Sequence, residues 1–247
     1  MLFSPQPQAL NVRRNCLTLN YEMKKLDIAL VDEMTSEKLQ EMTSDGMEIA
    51  LDSFLSDGII KDIPFFGTLY KSSKAAIGIK DAIFAKMVYK FLFELKDIPP
   101  EKRKSFIEKL QTKEGYDKKV GETLIVILDK LDDLDKPTLI GRLLKYTIEE
   151  QISFEDFLRI SAVIQKAFLP DLLFLKKNSF IDYYNPVVRE QFMTLGLVRL
   201  ELEFDTREST IRKMSRLTDS PTKVSQKLKF ELNNLGEKIR KFLLNCA

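Results

Sequence analysis

Apolar residues recur at three- and four-residue steps along most of this 247-residue chain, and only near its C-terminal end does the period drop to two. That switch limits the fold more than any other feature. A period between three and four builds helices with one apolar face, whereas strict alternation builds half-buried strands. The clearest helical stretch runs from about Thr68 to Lys96, where Leu69, Ala76, Ile83, Met87, Phe91 and Leu95 form one stripe, widened by Ile77, Phe84, Val88 and Leu92. At 1.5 Å per residue such a helix is about 40 Å long, enough to serve as the axle of a helical domain. Gly78 weakens it and marks an expected close crossing by a neighbouring helix.

Shorter amphipathic stretches surround it. One or two helices are expected between Tyr21 and Met42, and another from Met47 to Leu55; Ser56-Asp57-Gly58 then has turn chemistry, and Ile63-Pro64-Phe65-Phe66-Gly67 reads as an apolar loop. Pro99-Pro100 closes the long helix, and the next carries Phe106, Ile107 and Leu110. A helix from Tyr116 to Asp135 buries Val120, Leu124, Ile127, Leu128, Leu131 and Leu134, and Pro137 suits the first turn of its successor. Ser153 with Asp156 three residues on approximates a capping box for a helix with Phe154, Phe157, Leu158, Ile164 and Phe168 on its face, which Pro170 is expected to end.

The last third changes character. Tyr184-Asn185-Pro186 opens a short helix through Thr194, closed by Gly196. Leu197 to Phe204 alternates apolar and charged residues, and Lys227 to Leu232 alternates again, so the two are expected to pair as an antiparallel ribbon. Asn233 then caps a final helix carrying Leu235, Ile239, Phe242 and Leu243. The tract Leu195-Gly196-Leu197-Val198-Arg199 and the closing Phe230-Glu231-Leu232-Asn233-Asn234-Leu235-Gly236-Glu237-Lys238 resemble the second half of a winged helix, over about 60 residues. The expected fold is mainly α: a tail over 1–20, a helical bundle over 21–136, and a winged-helix-like module with one β-hairpin over 137–247.

The chain has no histidine, and that excludes much chemistry. Ser-His-Asp and Cys-His nucleophile systems need an imidazole as proton shuttle. Cys16 and Cys246 stand at opposite ends, so neither a zinc site nor a disulfide framework is expected, and a reducing cytoplasm is the natural setting. Nine scattered glycines form no phosphate-cradling loop. The N-terminus lacks the apolar core of a signal peptide, and no stretch approaches the ~20 apolar residues of a spanning helix. The resulting expectation is a protein without catalytic residues, cofactor or metal.

Three constellations remain. Between Thr206 and Lys229, the loop and second strand of the ribbon, seven cations stand against two carboxylates. Arg207, Arg212, Lys213, Arg216, Lys223 and Lys227 are therefore candidate contacts to phosphates or to a protein, joined by Arg189 on the preceding helix. That helix pairs Arg189 with Glu190 and offers Gln191 as its only other base reader, which argues against sequence-specific DNA reading. The long helix is basic on its polar side, and Phe65, Phe66, Lys71, Lys74, Lys80 and Lys86 are candidate contacts to an anionic membrane surface, against a reading in which the stripe is core and the lysines its solvated face. Asp129, Asp132, Asp133 and Asp135 cluster at a helix end, with Asp129 expected to share a face with Asp132 or Asp133, but no calcium-loop spacing is present. The leading functional expectation is a non-enzymatic interaction or regulatory protein that docks to a protein partner or to itself. Nucleic-acid binding and membrane-surface association are the alternatives.

Overall fold

Leu26, Leu30 and Met34 stand at four-residue steps and are all buried, so residues 24–35 close into a helix, α1, with one face inward. Ile28 points the other way and is exposed. The computed structural model describes residues 24–45, 65–68, 79–112, 120–177, 185–204 and 226–245. Within them the chain is mainly helical, with one two-stranded antiparallel sheet near the C-terminus. It divides into two compact units, Met1–Gln165 and Lys166–Ala247.

In the first unit α1 is followed by a 3₁₀ turn, Glu37–Glu41, whose Ser36 side chain accepts from the Lys38 N–H. Residues 65–68 form one helical turn. Helix α2, Ile79–Phe93, buries Ala82, Ala85, Val88, Phe91 and Leu92. It ends at Phe93 and gives way to a turn over 94–97, short of the expected Lys96. Leu95 is nevertheless buried, from within the turn that follows. Helix α3, Pro100–Thr112, places Phe106, Ile107 and Leu110 inward as the spacing requires.

Helix α4, Val120–Asp129, is shorter than its sequence pattern. The Asp133 side chain accepts from the Asp135 N–H at 2.8 Å, a local bond that favours a turn over another helical turn. Helix α5, Lys136–Ile148, then begins with Pro137 in its first turn. It packs on α2 where Gly141 allows it: a Cβ there would lie 2.6 Å from the Phe91 carbonyl oxygen. The close crossing expected at Gly78 lies outside the described residues. Helix α6, Phe154–Lys166, starts as expected, with the Ser153 hydroxyl accepting from the Asp156 N–H at 3.1 Å.

Pro170 does not end a helix. It sits in the first turn of α7, Leu169–Lys177, which the apolar pattern does not separate from its predecessor. The two contact units meet between Gln165 and Lys166, so α5, which packs on α2, and most of α6 lie within the first.

The second unit contains α7, α8 (Pro186–Thr194), β1 (Val198–Phe204), β2 (Gln226–Leu232) and α9 (Asn234–Asn245). The Asn185 side chain accepts from the Val187 N–H and starts α8, and Gly196 at φ +69° turns the chain out of it. The strands pair from Val198 opposite Leu232 to Phe204 opposite Gln226. Asn233 fastens the base of this ribbon. Its backbone N–H donates to the Leu197 carbonyl, its side-chain amide donates to the Gly196 carbonyl, and its side-chain oxygen accepts from the Gly236 N–H to cap α9. Phe192, Leu197, Ile239, Leu243, Leu172 and Leu175 are buried within this unit.

Candidate functional site

The strand register sorts the ribbon into two unlike faces. Arg199 stands opposite Glu231, Glu201 opposite Lys229, and Glu203 opposite Lys227, so one face carries alternating charge. Arg199 Nη2 lies 2.8 Å from Glu231, Arg199 Nε 3.1 Å from Glu201, and Lys229 Nζ 2.7 Å from Glu231. The hydrogen bond to Glu231 raises the Arg199 pKa above its ordinary value, and those from Lys229 and Arg199 lower that of Glu231. These pairs are solvated and add little stability; of the three, Arg199–Glu231 crosses between the strands, and a one-residue slip would separate it.

The other face is apolar and largely open. Leu200 stands opposite Phe230 and Leu202 opposite Leu228. Leu200, Leu202 and Leu228 are 49%, 55% and 52% exposed. At the base of the ribbon Leu232 is buried and Val198 half-buried, and Phe230 further along is half-buried as well. The Arg189 guanidinium from α8 lies over the Phe230 ring, 4.3 Å from its centroid. A guanidinium over an aromatic face still has N–H donors to offer a carboxylate.

Of the candidate contacts in the basic loop, Arg207, Arg212, Lys213, Arg216 and Lys223 lie outside the described residues. Lys227 has a register position but no described side chain. Arg189 is thus the member of that set that the structure places against the ribbon. The exposed side chains of α8 include Val187 and Met193, which have nothing to offer a phosphate.

The membrane-surface set is placed differently from expectation. Phe65 and Phe66 are fully buried and meet edge to face at 5.4 Å between centroids, so they do not form a surface loop. The Glu33 carboxylate accepts from the Phe65 N–H. Lys86 is buried too, and that burial, followed by Lys90, lowers its pKa. Lys80 is exposed, while Lys71 and Lys74 lie outside the described residues.

Around Glu33 the first unit has a polar interior that the sequence pattern did not announce. Arg103 is fully buried, with its Nε donating to the Ile98 carbonyl and its Nη1 to the Met34 carbonyl, so it ties the end of α1 to α3. Among the described residues Glu33 Oε2 and Arg103 Nη2 have no hydrogen-bond partner. Burial pushes the Glu33 pKa up, against the Phe65 N–H and the charges of Lys38 and Arg103, and pushes the Arg103 pKa down. The sequence signal was the position of Glu33, four residues after Ala29 and three after Leu30 on the apolar face of α1, whereas the neighbouring Asp32 falls on the exposed side.

The acidic cluster is dispersed. Since α4 ends at Asp129, that residue shares no helical face with Asp132 or Asp133; Asp132 pairs instead with Lys136. Among the described residues no three acidic or cysteine side chains converge to hold a metal ion, and no helix is long and apolar enough to cross a membrane. No family model matches the chain, no curated protein is similar to it in sequence, and no solved structure matches it.

Proposed function

We propose that this chain is a non-enzymatic interaction protein whose C-terminal unit docks another polypeptide on the apolar face of its ribbon. The supporting observation is the exposure of Leu200, Leu202 and Leu228 side by side on two paired strands. Scattered exposed leucines are ordinary on a protein surface, but a continuous apolar face next to a stacked arginine is the composition of an interface core. The order α8, Gly196 turn, β1, β2 and α9 also agrees with the resemblance to a winged helix, in which the ribbon is the wing. In this reading the wing is used for protein contact in the cytoplasm.

Replacing Leu200, Leu202 and Leu228 together by serine tests the reading. All three are about half-exposed, so the thermal midpoint should barely move. Association with whatever the protein binds, whether a co-purifying protein or itself, should be lost. A triple variant that associates like the wild type overturns the proposal.

Nucleic-acid binding through residues 206–229 has less support: α8 is uncharged overall, and the ribbon face beside Arg189 is apolar. Membrane-surface binding keeps Lys80 as an exposed contact but loses Phe65, Phe66 and Lys86 to the interior.

A further inference from the structure

The ribbon face has a counterpart on the same unit. Helix α7 buries Leu172 and Leu175 and turns Leu173 and Phe174 outward, 45% and 42% exposed. Asp171 stands one turn before Phe174, on the flank of that outward face. A short apolar ridge with a carboxylate beside it is the complement of an apolar face with a guanidinium beside it. Among the described residues no carboxylate pairs with Arg189 and no cation pairs with Asp171. The ion pairs on the charged face of the ribbon are, by contrast, already made within the chain.

We propose that α7 of a second copy occupies the apolar face of the ribbon, with its Asp171 on Arg189 and its Leu173 and Phe174 against Leu202 and Leu228. This rests on the reading of the ribbon as a docking face and names its partner. One chain carries both halves of the contact, so two copies satisfy it twice around a twofold axis, the closed arrangement favoured for homodimers. Charge also separates this occupant from the N-terminal segment 1–15, which has Arg13 and Arg14 and no carboxylate to offer Arg189.

Light scattering and sedimentation of the full chain over the micromolar range test the proposal, with the charge-reversal variants Asp171→Arg and Arg189→Glu. The wild type should have the mass of a dimer. Each single reversal sets like charges together and should weaken the dimer at least about tenfold, while the double variant restores opposite charges and should return most of the loss. Recovery in the double variant cannot come from a chain that fails to fold. A wild type that stays monomeric overturns the inference, as do a dimer indifferent to both reversals and a double variant no better than the singles. If the wild type is monomeric while the triple serine variant still loses a co-purifying protein, the docking face stands and the second copy does not occupy it. If the triple variant loses nothing, the docking face itself fails.

Discussion

Glu33 is a carboxyl group placed where its charge is disfavoured. Its pKa lies above the ordinary 4.5, chiefly because burial penalises the ionised form. A raised carboxyl pKa means that the folded chain holds this proton more tightly than the unfolded one. Its stabilising contribution is therefore complete below 4.5 and is lost as pH rises through the folded value. A glutamine in its place would mimic the protonated form. The Glu33→Gln variant should melt at or above the wild type at about pH 7, with the difference shrinking towards about pH 5. A wild type that gains on the variant as pH rises would show instead that Arg103 needs the anion. Asn233 gives a second test at this scale. Asn233→Ala removes the cap of α9 and should cost about 1 kcal/mol for that cap, and more for the lost bond to Gly196, read by urea unfolding. Asn233→Asp keeps the capping oxygen but not the donor, so it should fall between the two.

At the scale of elements, close approach and chain breaks decide more than propensity does. Helices α2 and α5 meet where Gly141 has no side chain, with the Phe91 carbonyl in the space a methyl would fill. Since that neighbour is backbone, it cannot rotate aside. Gly141→Ala should destabilise by about 1–3 kcal/mol, the usual cost of overpacking, despite alanine's better helix propensity. A variant as stable as the wild type in thermal melting would contradict this crossing. Pro170 reads as a stop because proline removes a backbone donor, yet that donor is superfluous in a first turn, and α7 begins around it. The same ambiguity makes Pro137 look like a boundary, when it opens a helix belonging to the first unit.

At the scale of the whole molecule, the chain divides near Gln165, and each unit has buried apolar residues of its own. Residues 166–247 expressed alone should therefore keep helical circular dichroism and melt cooperatively. Loss of that signal, with its return only in the full chain, would mean that the second unit depends on the first. The function-bearing surface is legible only at this scale. Alternation from Leu197 to Phe204 announced a strand with one apolar face, and the structure has that strand. Alternation carries no information about whether anything covers the face.

What the residues determined by themselves is local. Period fixed which segments are helix and which are strand, because a backbone presents one face every 3.6 or every 2 residues whatever surrounds it. Capping side chains fixed several starts, since Ser153, Asn185 and Asn233 bond to N–H groups only two or three residues away. Charge order along β1 and β2 favoured one register. Tertiary structure decided the rest. It buried Phe65 and Phe66, which the local pattern leaves as a loop, because the interior of the first unit takes their apolar rings out of water. It drew Arg103 inside, because the Met34 and Ile98 carbonyls accept its donors there. It left Leu200, Leu202 and Leu228 in the open and set Arg189 on Phe230. Each of these outcomes depends on groups brought together from distant positions in the chain, and that proximity is not written in any local window of sequence.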